Sequence, residues 1–157
     1  MNQDYNKKRH FELLKYSQDL KQQGKFISGE SRNGYLELLK YSAMLASHLG
    51  WETRDQYVKL LNEFMEKKID IPEFCQAFCR RSELNDEVVD TLESNFILLS
   101  PHEKSVEFSD FMEEIFSCCE AYNGDPEPFR TSYDIGETEF RDSVEKTYFR
   151  LQKFLEK

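Results

Sequence analysis

Apolar side chains recur every three or four residues between residues 103 and 122, and the pattern holds for four turns. Its members are Phe108, Phe111, Met112, Ile115, Phe116, Cys119 and Tyr122. A period near 3.6 residues puts them on one side of an α-helix and leaves the opposite side polar. Such a helix is stable mainly when its apolar side is covered, so this segment constrains the chain to a packed helical fold.

The same period recurs along most of the chain. Helices are predicted over about 4–23, 35–49, 86–99 and 137–156, and in two segments that open near residues 53 and 70. Alternating β-branched residues are nearly absent, and 6 Gly with 4 Pro are too few for the turns of a β-sandwich or barrel. We therefore expect an all-α fold, with antiparallel helices around an aromatic-rich core in the manner of a bundle.

Short polar motifs predict where two of these helices begin. Thr53 and Gln56 have the spacing of a capping box, in which each side chain reaches the backbone amide of the other residue. Asp70 and Glu73 repeat that spacing, and Pro72 suits the first turn of a helix.

Glycine predicts where helices end. Gly24 is expected to end the first helix and Gly50 the second. Residues 24–34 hold three glycines, two serines and an asparagine, and are predicted to form a loop. A second loop is predicted from Asn123 to about residue 136.

One internal repeat is visible near the start of the chain. The sequence Glu-Leu-Leu-Lys-Tyr-Ser occupies residues 12–17 and recurs at residues 37–42, an offset of 25. Two copies do not make a solenoid, which needs at least about three. The repeat is interpreted either as a local duplication that made a second amphipathic helix, or as two copies of one docking helix.

The formal net charge of −9 is concentrated in one part of the chain. Residues 83–145 hold 18 acidic side chains and only three basic ones, a net −15. Acids near helix starts suit the helix dipole, but this preference reaches only the first turn. It does not account for Glu113, Glu114 and Glu120, because neighbouring like charges without lysine partners destabilise a helix.

A basic partner protein would account for this charge, because complementary fields speed association and set specificity. The candidate binding residues are Glu83, Asp86, Glu87, Asp90, Glu107, Asp110, Glu113, Glu114, Glu120, Asp125 and Glu127. Net negative charge disfavours nucleic acid as a direct ligand, since that binding depends on cationic surface. The basic cluster Lys7-Lys8-Arg9 leaves a regulatory nucleic-acid binder as a weaker alternative.

No set of residues predicts an enzyme. The chain has no nucleophile elbow, phosphate-binding loop or His-Glu-x-x-His motif, so we expect no catalytic residues and no cofactor. Cys75 and Cys79 are four residues apart, Cys118 and Cys119 are adjacent, and the histidines are scattered, which is not zinc-like spacing. The cysteines are expected to be reduced and buried.

No apolar run approaches the length of a membrane helix, and no apolar segment follows the N-terminal basic cluster as a signal peptide requires. We expect no membrane insertion and a cytoplasmic location (or an organelle stroma), not secretion. The sequence gives no indication of oligomeric state.

Residues from about 55 to 157 carry a family resemblance. The matching segments are Tyr57 to Met65, Ile69 to Phe78, Phe111 to Phe116, Tyr122 to Pro126 and Ile135 to Arg141. Their order and shape resemble the colicin D-type immunity protein family. The resemblance implies an antiparallel four-helix bundle. It also implies an inhibitor that covers the active site of a tRNA-cleaving toxin with acidic side chains in place of RNA phosphates.

The leading hypothesis is therefore a non-enzymatic, immunity-like protein over residues 51–157, preceded by a helical extension over residues 1–50 that carries the repeat. It would inhibit a basic, RNA-cleaving toxin through an acidic face. The alternative is a helical accessory or structural subunit of a larger intracellular complex that docks through apolar faces of residues 1–50.

Overall fold

The computed structural model describes residues 5–90, 101–125 and 131–157. Its helices are α1 Lys7–Gln22, α2 Ile27–Glu30, α3 Arg32–Glu52, α4 Arg54–Met65, α5 Ile71–Asp90, α6 Ser105–Ala121 and α7 Glu137–Leu155. The only β-type pairing in these ranges is an isolated bridge between Tyr122 and Ile135. The all-α prediction is confirmed. Among the described helices, none combines the length and apolar character that a membrane crossing needs.

The chain divides into two compact units, and each unit draws on two separate stretches of sequence. Unit 1 comprises Met1–Trp51 and Glu83–Val106, and unit 2 comprises Glu52–Ser82 and Glu107–Lys157. The helical extension proposed for residues 1–50 thus belongs to a unit that also contains a later part of the chain. A domain boundary at residue 50 stays a prediction.

In unit 1, α1 and α3 pack around a small apolar core. Leu13, Leu20 and Ile27 are buried in it, and Leu38 and Tyr41 of α3 pack against them. The two copies of the repeat have different surroundings, because Leu13 is buried whereas its counterpart Leu38 is half-buried. One copy of the repeat lies on α1 and the other on α3, so the repeat contributes to both helices of this packed pair.

Unit 2 contains α4, residues 71–82 of α5, residues 107–121 of α6, and α7. Aromatic rings fill its core. The ring of Phe64 stacks on Phe74 with centroids 4.7 Å apart and meets Phe140 edge to face at 5.6 Å. Tyr57 lies 5.2 Å from Phe78 and 6.2 Å from Phe108. Four helical segments thus share one aromatic core, in agreement with the apolar stripes in the sequence.

Both predicted helix starts are confirmed, since Thr53 directly precedes α4 and Asp70 directly precedes α5, but the capping hydrogen bond is present at only one of them. Asp70 Oδ1 accepts a hydrogen bond of 2.8 Å from the Glu73 amide, and Pro72 lies in the first turn of α5. Thr53 makes no side-chain capping hydrogen bond to the described residues of α4. The Gln56 amide bonds to the Thr53 carbonyl oxygen (3.0 Å) instead of the Thr53 hydroxyl, and the Thr53 backbone (φ −100°, ψ 14°) is not in the extended conformation typical of a capping residue. The other half of the box is also absent from these contacts, since Gln56 Oε1 accepts a 2.7 Å hydrogen bond from Arg81 Nη1.

Gly24 ends α1, as predicted. Its φ is +72°, its amide bonds to Lys21 O, and the Lys25 amide bonds to Leu20 O. This pair of bonds is a Schellman motif. At the end of α4 the same motif is built on Lys67, with φ +60° and bonds from the Lys67 and Lys68 amides to Phe64 O and Glu63 O.

The predicted loop over residues 24–34 is wrong in part. It contains α2, and α3 begins at Arg32 because Ser31 Oγ accepts a 3.1 Å hydrogen bond from the Gly34 amide and caps the helix. A Cβ on Gly34 would lie 2.9 Å from that oxygen, so glycine permits the cap. Gly50 does not end α3, which runs to Glu52.

Two helices predicted near residues 70 and 86 are one. α5 runs without a break from Ile71 to Asp90, and the part of the second prediction over residues 91–99 lies outside the described residues. The predicted loop after α6 is confirmed where it is described. Its ends are joined by hydrogen bonds from the Asn123 amide to Ile135 O (2.9 Å) and from the Ile135 amide to Ala121 O (2.8 Å).

Candidate functional site

An acidic stripe lies on α6. Four of the predicted binding residues have exposed side chains there and define what we term the α6 stripe: Glu107, Asp110, Glu113 and Glu120. Opposite them, Phe108, Phe111 and Ile115 are buried in unit 2. The sequence of the helix contains no lysine, arginine or histidine, so no cation on α6 neutralises these carboxylates.

Glu114 differs from the α6 stripe because it has partners within the fold. Its Oε2 accepts hydrogen bonds from Arg150 Nη1 at 2.7 Å and from Thr147 Oγ1 at 3.0 Å. The Arg150 guanidinium, aided by Thr147, lowers the pKa of Glu114. The sequence argument that Glu114 lacks a basic partner is therefore wrong, because the partner comes from α7. A binding role for Glu114 stays a prediction.

A second acidic group lies near the end of α5, in unit 1. Its exposed residues define the α5 cluster: Glu83, Asp86, Glu87 and Asp90. Burial raises the pKa of Asp86, and the neighbouring carboxylates of Asp90 and Glu83 raise it further. These side chains therefore repel one another, and a cation placed beside them would relieve that repulsion.

The structure groups the predicted acidic residues by unit. The α5 cluster lies in unit 1, and the α6 stripe and Asp125 lie in unit 2. Asp125 is exposed in the loop after α6, where its amide donates a 2.9 Å hydrogen bond to Asn123 Oδ1. Glu127 lies outside the described residues. That all of these residues form one binding face stays a prediction.

Sequence inspection missed a buried polar group in unit 1. The His10 ring is fully buried, with Nδ1 2.7 Å from the Tyr5 hydroxyl and Nε2 3.3 Å from Ser42 Oγ. Each hydroxyl can donate or accept, so the neutral ring is satisfied in either tautomer. Burial lowers the pKa of His10 to about 4. A histidine with so low a pKa is a weak base at neutral pH. We therefore interpret the contacts of His10 with Tyr5 and Ser42 as part of the packing of unit 1.

The other two histidines, which are far apart in sequence, meet in unit 1. His48 Nδ1 accepts a 3.0 Å hydrogen bond from the His102 amide. The His102 ring stacks on Trp51 with centroids 4.7 Å apart, and Lys104 Nζ lies 5.9 Å from the Trp51 ring. These contacts fix the end of α3 to the segment that precedes α6.

The four cysteines are free, and each is half-buried rather than buried. The interaction of Cys119 on α6 with Cys75 on α5, together with burial, raises the pKa of the Cys119 thiol. Cys79 and Cys118 lie near enough to Cys119 to raise its pKa through Coulomb interaction. In the ranges that the structure describes, no three His, Cys, Asp or Glu side chains are arranged to hold a metal ion. The convergence of the cysteines was not expected from their spacing.

Comparison of the chain with family models, with curated proteins and with solved structures gives no match in any of the three.

Proposed function

We propose that the chain is a non-enzymatic binding protein that engages a basic protein partner through the α6 stripe. The observation that carries the proposal is the composition of α6, whose exposed side chains at Glu107, Asp110 and Glu113 are acidic and which contains no base. One side of this helix is fixed by the aromatic core of unit 2, so the stripe is held on a rigid element.

The stripe is expected to act mainly on association. Carboxylates on one side of a helix produce a negative field that draws in a cationic surface and raises the association rate, and salt weakens this effect. Glu120 adds to the field near the end of α6, where the helix dipole disfavours an acid. That residue destabilises its own helix, which supports a role outside the fold.

The resemblance to colicin D-type immunity proteins suggests the kind of partner. We propose a cytoplasmic, immunity-like inhibitor whose acidic side chains occupy the RNA-binding surface of a basic, RNA-cleaving toxin. Under this proposal the four helical segments of unit 2 form an antiparallel four-helix bundle that presents α6 to the toxin. The α5 cluster in unit 1 would add a second acidic contact.

The test is an affinity capture from the native source at low and at high salt, followed by mass spectrometry and an assay of tRNA cleavage by the captured protein. The test variant carries Glu107→Lys, Asp110→Lys and Glu113→Lys. The wild-type chain should capture a basic protein at low salt and inhibit its nuclease activity, and the variant should lose both. Glu114 is left unchanged because its reversal would place a lysine against Arg150.

The matched control carries charge reversals at exposed acids away from α5 and α6, namely Asp19→Lys and Glu30→Lys. Its capture should equal that of the wild type. Equal capture by the wild type and by the α6 variant, with both folded by circular dichroism, would show that the stripe is not the binding surface. A second variant, with Asp86→Lys and Asp90→Lys, measures the contribution of the α5 cluster.

Exposed apolar side chains favour a second candidate, a helical accessory subunit. Within residues 5–50, large apolar side chains are exposed at Phe11, Tyr16, Phe26, Leu36 and Leu39. Leu36 and Leu39 lie one turn apart on α3 and are 51% and 48% exposed. If a neighbouring subunit covered them, burial of each side chain would stabilise the complex by about 1 kcal/mol or more.

The two candidates are separated by surface substitutions rather than by deletion of residues 1–50, because those residues belong to unit 1 together with residues 83–106. Leu36→Ser with Leu39→Ser should abolish capture of an accessory partner and leave capture of a basic toxin intact. Val106→Ser with Phe149→Ser is the control, since both side chains are also exposed.

A further inference from the structure

The side of α1 that faces solvent carries basic, amide and aromatic side chains and no carboxylate. The buried side of this helix consists of His10, Leu13, Ser17 and Leu20. At 3.6 residues per turn, six exposed residues lie on the opposite side, within an arc of about 100°. They define the α1 basic face: Lys7, Lys8, Phe11, Lys15, Gln18 and Gln22.

Three other charged residues of α1 lie outside this face. Arg9 donates hydrogen bonds of 2.8 and 3.1 Å to the carboxylate of Glu37 on α3. The Glu12 carboxylate lies 3.9 Å from the Arg9 guanidinium, and Glu12 and Asp19 border the face without entering its arc. The basic cluster at the start of the chain is therefore divided, because its arginine joins α1 to α3 and its two lysines face solvent.

The α1 basic face is carried by a helix that is fixed by its other side. Leu13 and Leu20 are buried in the core of unit 1, so α1 has a defined orientation within that unit. Phe11 is nevertheless 36% exposed. Lys8 and Lys15 lie one turn before and one turn after it on the same side of the helix. The helix thus presents an aromatic ring to solvent between two cations.

We propose that the α1 basic face binds a single-stranded nucleic acid. Its lysines contact phosphates, the Phe11 ring stacks on an unpaired base, and the two glutamines form hydrogen bonds with base edges. Proteins that bind single strands combine a cationic surface along the backbone with aromatic side chains on which bases stack. The face belongs to unit 1, and the proposal is independent of the α6 stripe in unit 2 and of its partner.

The side chains of this face favour a nucleic acid over other anionic partners. A helix that lies on an anionic membrane buries a broad apolar side, whereas Phe11 is the only apolar residue among these six. An acidic peptide would pair with the lysines and would offer no planar base for the Phe11 ring.

The net charge of −9 weakens the attraction of the whole chain for any polyanion. Salt at about 0.1 M largely screens charges more than about 10 Å apart, so the local charge of the face then matters more than the net charge. We expect a dissociation constant of about 10⁻⁴–10⁻⁶ M at physiological salt, the range of binding through phosphate contacts without base sequence preference.

The test measures the fluorescence anisotropy of labelled oligouridylate RNA and oligothymidylate DNA with the full chain at several salt concentrations. The wild type should bind, and three lysine contacts predict a slope of about −2 for the logarithm of the affinity against the logarithm of the salt concentration. Lys7→Gln combined with Lys8→Gln and Lys15→Gln should lower the affinity at least tenfold. Tighter binding of one oligonucleotide identifies RNA or DNA as the source of the ligand.

The matched control replaces three exposed lysines of unit 2, with Lys59→Gln, Lys146→Gln and Lys153→Gln. It has the same net charge as the first variant and should bind like the wild type. Phe11→Leu keeps an apolar side chain but removes the ring, and should weaken binding roughly tenfold without changing the salt slope. Tyr16→Leu is its control, because this 42% exposed ring lies on another side of α1.

Circular dichroism checks that each variant is folded. Absence of binding by the wild type, equal losses in the two triple-lysine variants, or wild-type affinity in Phe11→Leu would overturn the proposal. Competition by polyglutamate as effective as that by unlabelled oligouridylate would also overturn it, since polyglutamate is a polyanion without bases and would show that the face attracts negative charge alone.

Discussion

Arg150 Nη1 on α7 donates a 2.7 Å hydrogen bond to Glu114 Oε2 on α6, and the guanidinium also lies 5.3 Å from the centre of the Phe111 ring. One cation thus binds a carboxylate and covers a core aromatic ring of unit 2. The contact separates two adjacent glutamates, because Glu114 is part of the helix interface and Glu113 is exposed.

We predict different effects for Glu114→Gln and Glu113→Gln. The first should lower the free energy of unfolding by roughly 0.5–1 kcal/mol, a small value because the ion pair is partly exposed to solvent. The second should change it by less than about 0.5 kcal/mol. Since the folded state lowers the pKa of Glu114, its contribution is present at neutral pH and is lost as the pH falls through that lowered value. Urea denaturation at neutral and acidic pH measures both effects, and equal losses in the two variants would contradict the assignment.

Lowering the pH should destabilise unit 1, because His10 is buried there and has a lowered pKa. Its pKa is about 4 in the folded protein against an ordinary 6.5, so the unfolded chain binds more protons between these values. Stability is therefore lost as the pH falls from 6.5 towards 4, by about 3 kcal/mol in total. His10→Gln should flatten this part of the pH profile. The single tryptophan, Trp51, lies in unit 1, and its fluorescence follows the transition. Parallel profiles for the two proteins would contradict the prediction.

The end of α4 offers a stabilising substitution. Lys67 occupies the left-handed backbone position with φ +60°, which glycine adopts without strain. Lys67→Gly should raise the free energy of unfolding by up to about 1 kcal/mol, the relief of strain being offset in part by the greater entropy of the unfolded chain. Gly24→Ala, at φ +72°, is the reciprocal change and should destabilise by a similar amount. Circular dichroism during thermal unfolding compares them, and a lower midpoint for Lys67→Gly would refute the strain argument.

The aromatic core of unit 2 should be sensitive at Phe140. Its ring is 0% exposed and contacts Phe64, Phe74 and Tyr122. Phe140→Ala should cost about 3–5 kcal/mol, because it removes buried surface and leaves a cavity. Tyr133→Ala, at a residue 88% exposed, should be nearly neutral and is the control. A loss below about 1 kcal/mol at Phe140 in chemical denaturation would show that the site collapses around the smaller side chain.

Periodicity predicted the helices well, and local motifs predicted their ends less well. Three- and four-residue spacing of apolar residues alone predicts helix α6 and its buried side, and the helix spans Ser105–Ala121. Spacing predicted the caps at Asp70 and Thr53 equally, yet only Asp70 makes its bond. At Thr53 the Gln56 amide bonds to the backbone carbonyl of Thr53, and the Gln56 side chain bonds to Arg81, which is 25 residues away in sequence. No local pattern contains that information.

For the candidate sites, too, local sequence patterns predicted exposure better than they predicted contacts between helices. Exposed acids on α6 could be predicted, because a helix with one apolar side must present its other residues to solvent. The partners of Glu114, which are Thr147 and Arg150, could not, since both lie on α7. Ser31, which starts α3 early, was the exception. Serine is a preferred N-cap residue and is thus a local signal, which the glycine-rich surroundings concealed.

The division of each unit between two stretches of sequence sets an order of events during synthesis. Unit 1 has all of its residues once position 106 has left the ribosome, whereas unit 2 must wait for α7. Until then, Phe64, Phe74 and Phe78 lack the later helices that complete their core, and the nascent chain presents aromatic surface. Truncation before α7 is therefore expected to produce an aggregating chain or a chaperone client rather than a smaller folded protein.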